Sequence, residues 1–186
     1  MIRRRQPIRR SSKSIQRRSG RPKRKARIKR PKALSRRWLE NVADRVFSLF
    51  IRSRRRCEKR CGRELEVTEL QASHGIGRAY KATRYDEKNV MASCPQEHQA
   101  FTWRPYEFRD YLVEKWGQAE FDRLWAKAQE GVRLGYAPDY IDLIRRYWSR
   151  EEVQGALFES SERVQKNLTR DVEKALKSVA LGADES

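Results

Sequence analysis

Apolar side chains recur at three- and four-residue steps from position 38 to position 50. Ser35 stands immediately before this stripe, where a hydroxyl can cap the first turn of a helix. The spacing predicts a helix over about 36–53. The stripe consists of Trp38, Leu39, Val42, Val46, Leu49 and Phe50.

Between residues 62 and 102 the apolar side chains form shorter and less regular runs. Gly62 indicates a turn, and the apolar positions between Leu65 and Leu70 predict a strand. The polar run Asp86–Asn89 predicts a second turn before a strand that begins at Val90. This segment is therefore expected to form two strands followed by a helix.

After Pro105 the apolar residues recur at the three- and four-residue steps of a helix, with a break near Gly117. Pro138 is expected in the first turn of a later helix, and Ser149 with Glu152 has capping-box spacing. A last helix over about 150–179 carries a sparse apolar stripe, which suits packing on the core or on a partner.

These elements predict an α+β fold in which a small two-stranded unit is embedded in a mainly helical domain. We expect four segments: a disordered arm over 1–34, a helix within 35–56, a core with its following helices over 57–130, and a helical extension over 131–186. No apolar run approaches the roughly 18 residues of a membrane span, so we expect no membrane partner.

Charge is distributed unevenly along the chain. The 186 residues include 44 Lys or Arg and 25 Asp or Glu, a formal net charge of +19, and residues 1–39 hold 18 basic and no acidic side chains. Residues 64–186 hold 18 basic and 22 acidic side chains. The balance argues against a neutral metabolic enzyme and for a nucleic-acid partner attracted mainly by the first third of the chain.

All cysteines and histidines of the chain fall between positions 57 and 98: Cys57, Cys61, His74, Cys94 and His98. The C-x3-C pair and the turn at Cys94–His98 have the spacing with which two turns clamp one structural zinc. Glu97 stands where a complete four-cysteine site would have a cysteine. Three readings stay open: Glu97 supplies an oxygen ligand, His98 completes the site, or zinc is weak or absent and the cysteines are buried free thiols.

The cysteines, the segments 70–78 and 83–86, Asn89-Val90 and Cys94-x3-His98 together resemble the HNH nucleases with a ββα-metal core. Within that group the chain is similar to the NinG-like phage recombination endonucleases, which are associated with branched DNA. The resemblance covers residues 57–125. It implies an HNH-like, zinc-stabilised ββα-metal core over 57–130.

The resemblance also implies roles for individual residues. His74 would be the general base, Asn89 would orient its imidazole or contact the catalytic metal, and His98 would be a metal ligand. Ser73 occupies a position where the family commonly has a metal-binding Asp or His. The implied cofactors are Mg²⁺ or Mn²⁺ for catalysis and Zn²⁺ for structure. As an alternative, His74 and Asn89 are ordinary turn residues.

Basic side chains near these positions are candidate DNA contacts, although a solvated charged loop explains those after position 77 equally well. The candidates are Arg54, Arg55, Arg56, Arg60, Arg78, Lys81 and Arg84.

The expected function is therefore that of a metal-dependent HNH endonuclease acting on DNA, with branched DNA in phage or prophage recombination as the implied substrate. The alternatives are a zinc-stabilised DNA- or RNA-binding protein without catalysis and a structural, ribosome-associated RNA-binding protein. We expect a cytoplasmic location, in the bacterial host if the chain is phage-encoded. A homodimer through the C-terminal helices would suit a resolvase-like role.

Overall fold

A computed structural model describes residues 34–183, and the predicted disordered arm lies outside this range. The fold is α+β and mostly helical, as the sequence predicts, with one small antiparallel sheet. The elements in chain order are α1 (Arg36–Arg52), a 3-10 turn (Val67–Glu69), β1 (Gln71–His74), β2 (Val90–Ser93), α2 (Pro95–Trp103), α3 (Pro105–Trp116), α4 (Gln118–Arg133), α5 (Tyr140–Trp148), α6 (Glu151–Phe158) and α7 (Glu162–Ala183).

The predicted first helix is confirmed. The Ser35 side chain accepts a hydrogen bond from the Trp38 amide, and the helix ends at Arg52. Its apolar stripe is buried because α5, α6 and α7 pack against it. The stripe therefore forms one wall of the main hydrophobic core.

The sheet contains two strands in antiparallel register, with Gln71 opposite Ser93 and His74 opposite Val90. The strand predicted to begin at Val90 is confirmed. The strand predicted over 65–70 is wrong, because Glu66 and Glu69 cap a 3-10 turn reciprocally and the ladder begins only at Gln71. Helix α2 follows β2 directly.

The last predicted helix is divided into α6 and α7. The Gln165 side chain donates hydrogen bonds to the carbonyl oxygens of Phe158 and Ser160, at 2.8 and 2.7 Å. These bonds satisfy acceptors that a continuous helix would have used internally. Most of the predicted apolar stripe is buried against α1 and α5, so it serves the core of this chain.

Two predicted helix starts are also wrong. Asp139 caps α5, so Pro138 precedes the cap instead of lying in the first turn. Ser149 ends α5, and Arg150 is the N-cap of α6 without a capping side chain. Both errors move a boundary by one or two residues.

Hydrophobic packing joins the predicted segments 35–56 and 131–186 in one core. A second, smaller cluster consists of Met91, Phe101, Phe108 and Leu112, and it holds α2 and α3 against β2. Within residues 34–183, no helix is long and apolar enough to cross a membrane.

Candidate metal centre and histidine pair

A hairpin over residues 55–65 carries Cys57 and Cys61. The Cys57 amide donates to the Arg63 carbonyl at 2.8 Å, and the Leu65 amide donates to the Arg55 carbonyl at 2.9 Å. Gly62 closes the turn with a φ of 57°, a left-handed conformation that suits glycine. The hairpin thus places both cysteines on one tight turn.

Glu58 fixes this hairpin on β2. Its amide donates to the Ala92 carbonyl, and its carboxylate accepts from the Ala92 amide, both at 2.9 Å. Arg54 and Lys115 each approach the carboxylate to 2.7 Å. Burial raises the pKa of Glu58, but these two cations overcome that effect and hold it below its ordinary value.

The three cysteines converge at the end of β2. Their sulfur atoms all lie within 4.8 Å of one another, and the Sγ atoms of Cys61 and Cys94 are 3.8 Å apart. Cys94 also forms the N-cap of α2. Three thiolates at this spacing can hold a soft metal ion such as zinc. Glu97 and His98 lie in the first turns of α2 and do not belong to this sulfur cluster.

The thiols differ in acidity. Burial raises the pKa of Cys57 to about 11. Desolvation acts in the same direction on Cys61, but hydrogen bonds from the Arg63 backbone and side chain prevail and lower its pKa to about 7. Cys61 is exposed, whereas Cys57 and Cys94 are buried. Of Cys57 and Cys61, the more readily ionised thiol therefore lies on the solvent side.

Lys59 is the strongest sign that the cluster is built for a charged centre. The residue is 3% exposed, and its Nζ has no hydrogen-bond partner within the described residues. The Lys59 Nζ lies over the rings of Phe101 and Phe108, 3.5 and 4.2 Å from their centroids. Burial lowers the pKa of this amine to about 7, and negative charge at Glu97, Cys57 and Cys94 acts in the opposite direction and favours the ammonium. Zinc bound by three thiolates carries one net negative charge, which a buried ammonium neutralises. The residues present therefore fit a zinc–thiolate group.

His74 ends β1 and has one imidazole nitrogen fixed. Its Nε2 lies 3.0 Å from the carbonyl oxygen of Arg84. A carbonyl can only accept, so Nε2 carries the proton and Nδ1 keeps a free lone pair. This tautomer leaves Nδ1 as a proton acceptor, the role predicted for His74.

His98 lies on α2 and has the opposite tautomer. Its Nδ1 contacts the Ser73 hydroxyl, which contacts the Ser93 hydroxyl, which in turn donates to the Gln71 carbonyl. The Ser93 hydroxyl donates to the Gln71 carbonyl at 3.4 Å, and we assign the other two hydrogen bonds in the same direction, which puts the proton of His98 on Nδ1. The lone pair of Nε2 remains free for a metal.

Ser73, which the resemblance places at a ligand position, is already hydrogen-bonded within the fold. The residue is 2% exposed, and its oxygen contacts His98 and Ser93. Through the contact with His98 it orients the imidazole that is the candidate ligand.

Asn89 makes no hydrogen bond to the His74 ring. Its side chain is completely buried, accepts from the Ile76 amide at 2.6 Å, and donates to the carbonyls of Ile76 and Thr83 at 3.0 and 2.9 Å. The hydrogen-bonding atoms of the Asn89 side chain are used by the backbone of the loop between β1 and β2. Asn89 instead fixes the segment whose next carbonyl, that of Arg84, orients His74.

Replacement of Asn89 by alanine is expected to lower the free energy of unfolding by about 3 kcal/mol. Three buried backbone groups lose their partner, and each unsatisfied group costs roughly 1–3 kcal/mol. Urea denaturation measures the change. Asn41→Ala, an exposed substitution on α1, is the matched control and should change the free energy by less than about 0.5 kcal/mol. Equal losses in the two variants would contradict the assigned role.

Electrostatics keep both imidazoles neutral. Burial lowers the pKa of His74 to about 4, and the guanidinium groups of Arg78 and Arg84 add to this effect. Burial also lowers the pKa of His98, together with Lys59 and Arg78. Arg78 thus acts on both rings. Its charge links the two histidines electrostatically.

Acid should destabilise the fold through His74. Its pKa is about 6.5 in an unfolded chain and about 4 in the fold, so the neutral form is favoured by folding. The corresponding stability, up to about 3 kcal/mol, is complete above pH 6.5 and is lost as the pH falls toward 4. NMR can follow the two imidazoles separately, since the chain has only two histidines. An ordinary pKa near 6.5 for both rings would contradict this account.

Most of the predicted DNA-contacting side chains have carboxylate partners. Arg84 is 8% exposed and paired with Glu40 and Asp44 on α1, so in this fold its guanidinium is not available to contact a DNA phosphate. Lys81 also pairs with Glu40. The remaining pairs are Arg54 with Glu58, Arg55 with Glu159 and Arg60 with Glu107. Arg56 and Arg78 have no carboxylate partner within the described residues.

Three residues that contribute to the two sites were not singled out from the sequence: Glu58, Lys59 and Ser93. Lys59 is one of seven basic residues between positions 52 and 63. It shares its place between Cys57 and Cys61 with Arg60, so the sequence gives no signal that separates the buried cation from the exposed one. Glu58 is the only acidic residue in the same segment, and this isolation is a signal that could have been used.

A catalytic Mg²⁺ or Mn²⁺ would have one candidate protein ligand here, the Nε2 of His98, and Mg²⁺ binds a nitrogen donor less well than oxygen. Among the described residues, neither histidine belongs to a group of three or more ligand atoms. Magnesium in phosphate-processing sites is often held partly by the substrate's phosphate oxygens. The donor set therefore fits an ion that is completed by DNA and water, and it does not fit an ion retained by the protein alone.

Comparison with known proteins gives no relative: no family model, no curated protein and no solved structure matches this chain.

Proposed function

We propose that the chain is a metal-dependent HNH-type endonuclease that hydrolyses DNA phosphodiester bonds. The observation that carries the proposal is the pair of fixed, complementary tautomers. The Arg84 carbonyl leaves His74 with a free Nδ1, and the assigned hydrogen bonds through Ser73 and Ser93 leave His98 with a free Nε2. One nitrogen suits proton abstraction and the other suits metal ligation.

The order of the elements supports the same proposal. His74 ends the first strand, Asn89 precedes the second, and His98 lies on the helix that follows. This strand–strand–helix order agrees with the ββα arrangement that the sequence resemblance implies. The cysteine cluster lies beside the same helix, where a structural zinc would secure its start.

In the proposed reaction, His74 Nδ1 accepts a proton from the attacking water. The Arg84 carbonyl holds the ring in place, and Asn89 holds the loop that presents this carbonyl. A pKa near 4 makes a weak base, but a bound phosphodiester anion beside the ring would raise it. A divalent ion held by His98 would supply charge stabilisation at the phosphate and at the leaving oxygen.

The biological role that the resemblance implies is phage or prophage recombination on branched DNA, in the cytoplasm of a bacterial host. A homodimer would let two such sites act on opposite strands of a junction. The exposed Phe158 and Val164, near the connection between α6 and α7, are available for contacts through the C-terminal helices.

A second candidate function is a zinc-stabilised DNA- or RNA-binding protein without catalysis. The specific observation that favours it is the poor ligand set for a catalytic ion, since Ser73 is buried and used by its neighbours. In that case Lys59 and the cysteine cluster would still maintain the fold.

The experiment that separates these functions compares supercoiled plasmid, a four-way DNA junction and a structured RNA, each with Mg²⁺, Mn²⁺ or EDTA. The nuclease proposal predicts cleavage of DNA that depends on the divalent ion. Tight binding of DNA or RNA without any cleavage would contradict it and would support the binding protein.

A further inference from the structure

A basic cleft lies between α1 and the first half of α7 and extends to the loop that follows β1. Its volume is about 440 Å³. Four arginines line it: Arg45, Arg52, Arg78 and Arg163. Asn167 and Asp44 contribute the main further polar groups. Of these four arginines, only Arg78 is among the DNA contacts predicted from the sequence.

Charge within this basic cleft is poorly compensated. Asp44 is engaged by Arg84 and by the Tyr85 hydroxyl, and Arg45 pairs with Asp171 at 2.7 Å. The other three arginines have no carboxylate partner within the described residues. The cleft therefore carries about three positive charges that a bound anion would offset.

Arg52 shows how this charge is held. Its guanidinium donates to the carbonyl oxygens of Ser48 and Val67, both at 3.2 Å, so neutral acceptors fix it in place. Burial alone lowers its pKa, with no acid to reverse the effect. A partly desolvated cation without a counter-ion is a favourable position for a phosphate group.

Arg78 connects the basic cleft to the histidine pair. Arg78 lines the cleft and follows His74 by four residues in the loop after β1, and its charge lowers the pKa of both His74 and His98. Its carbonyl accepts from the Arg84 guanidinium at 3.2 Å, which ties its backbone to the segment that orients His74. A strand bound along the cleft would pass from α7 toward the imidazoles.

We propose that this basic cleft binds the phosphodiester backbone of DNA next to the bond that is cleaved. The inference rests on the proposed nuclease function, and it names the surface that guides the substrate to the site. It also replaces the predicted contacts of Lys81 and Arg84, whose charges are used within the fold. Phosphate contacts of this kind position DNA without reading its sequence.

The test measures DNA affinity of the full chain at several salt concentrations, in EDTA so that the DNA stays intact. Arg163→Gln is expected to weaken binding roughly 5- to 10-fold at 0.1 M salt. It should also flatten the slope of log K against log salt by about 0.9, the contribution of one phosphate contact. Arg133→Gln removes the same charge from an exposed position at the end of α4, outside the cleft, and should change neither quantity.

Asn167→Asp gives an independent test, because it adds a negative charge inside the cleft and should also weaken binding. Equal slopes for the native chain, Arg163→Gln and Arg133→Gln would overturn the proposal. The two proposals fail separately. If Arg163→Gln has a reduced slope but the native chain never cleaves DNA, the cleft proposal is supported and the nuclease proposal is contradicted. If Arg163→Gln has an unchanged slope and the native chain cleaves DNA, only the cleft proposal is overturned.

Discussion

His74→Ala is expected to slow DNA cleavage by about 10²-fold or more while leaving DNA affinity nearly unchanged. The rate falls because Nδ1 is the proton acceptor for the attacking water, and general-base catalysis typically contributes factors of this size. Affinity is retained because a neutral imidazole adds little to phosphate binding. Single-turnover cleavage of a labelled four-way junction gives the rate, and fluorescence anisotropy in EDTA gives the dissociation constant.

Added imidazole provides a specific control for this variant. Partial recovery of the rate in His74→Ala, without recovery in His98→Ala, would separate the proton acceptor from the metal ligand. His98→Ala should instead require more Mn²⁺ for half-maximal activity. Equal cleavage rates for the native chain and His74→Ala would contradict the proposed nuclease function.

Loss of a cysteine ligand is expected to unfold the segment 57–100. Free energies of zinc binding in small zinc domains are about 10–16 kcal/mol, and this binding energy contributes directly to folding. The hairpin has few apolar contacts of its own, since Cys57 is its one completely buried apolar side chain before Val67. Metal analysis should give one zinc per native chain, and Cys57→Ala should lose both the zinc and hydrogen-exchange protection over this segment.

Lys59→Met offers a matched comparison, because it keeps a long side chain and removes the buried charge. We expect it to weaken zinc binding without abolishing the fold, since the charge of the zinc–thiolate group would lose its neighbour. A native chain that is zinc-free and fully folded would contradict the metal centre. Cys57, Cys61 and Cys94 would then be ordinary core and surface residues.

The sequence predicted those features whose cause is local. The amphipathic stripe from Trp38 to Phe50 indicates α1 because its period is a property of the segment itself. The turn before Val90 is similarly encoded in adjacent residues, and the strand follows it. The clustering of the cysteines in sequence also predicted their proximity, since the hairpin and β2 bring the three sulfurs together.

The contacts at the site that the sequence did not predict join residues that are distant in sequence. Ser73 and His98 are 25 positions apart, and Asn89 holds Ile76 and Thr83 across a loop, so spacing alone gives no sign of either contact. Arg84 resembles any exposed loop cation until α1 places two carboxylates beside it. Tertiary packing determines which polar groups are used within the fold and which remain free for a ligand.

The most direct test of the central claim is the rate at which supercoiled plasmid is nicked by the native chain and by His74→Ala, purified identically and measured with Mn²⁺ and with EDTA. We expect the native chain to nick the plasmid in Mn²⁺, His74→Ala to nick it at least about 10²-fold more slowly, and neither protein to nick it in EDTA. Absence of nicking by the native chain, or equal rates for the two proteins, would contradict it.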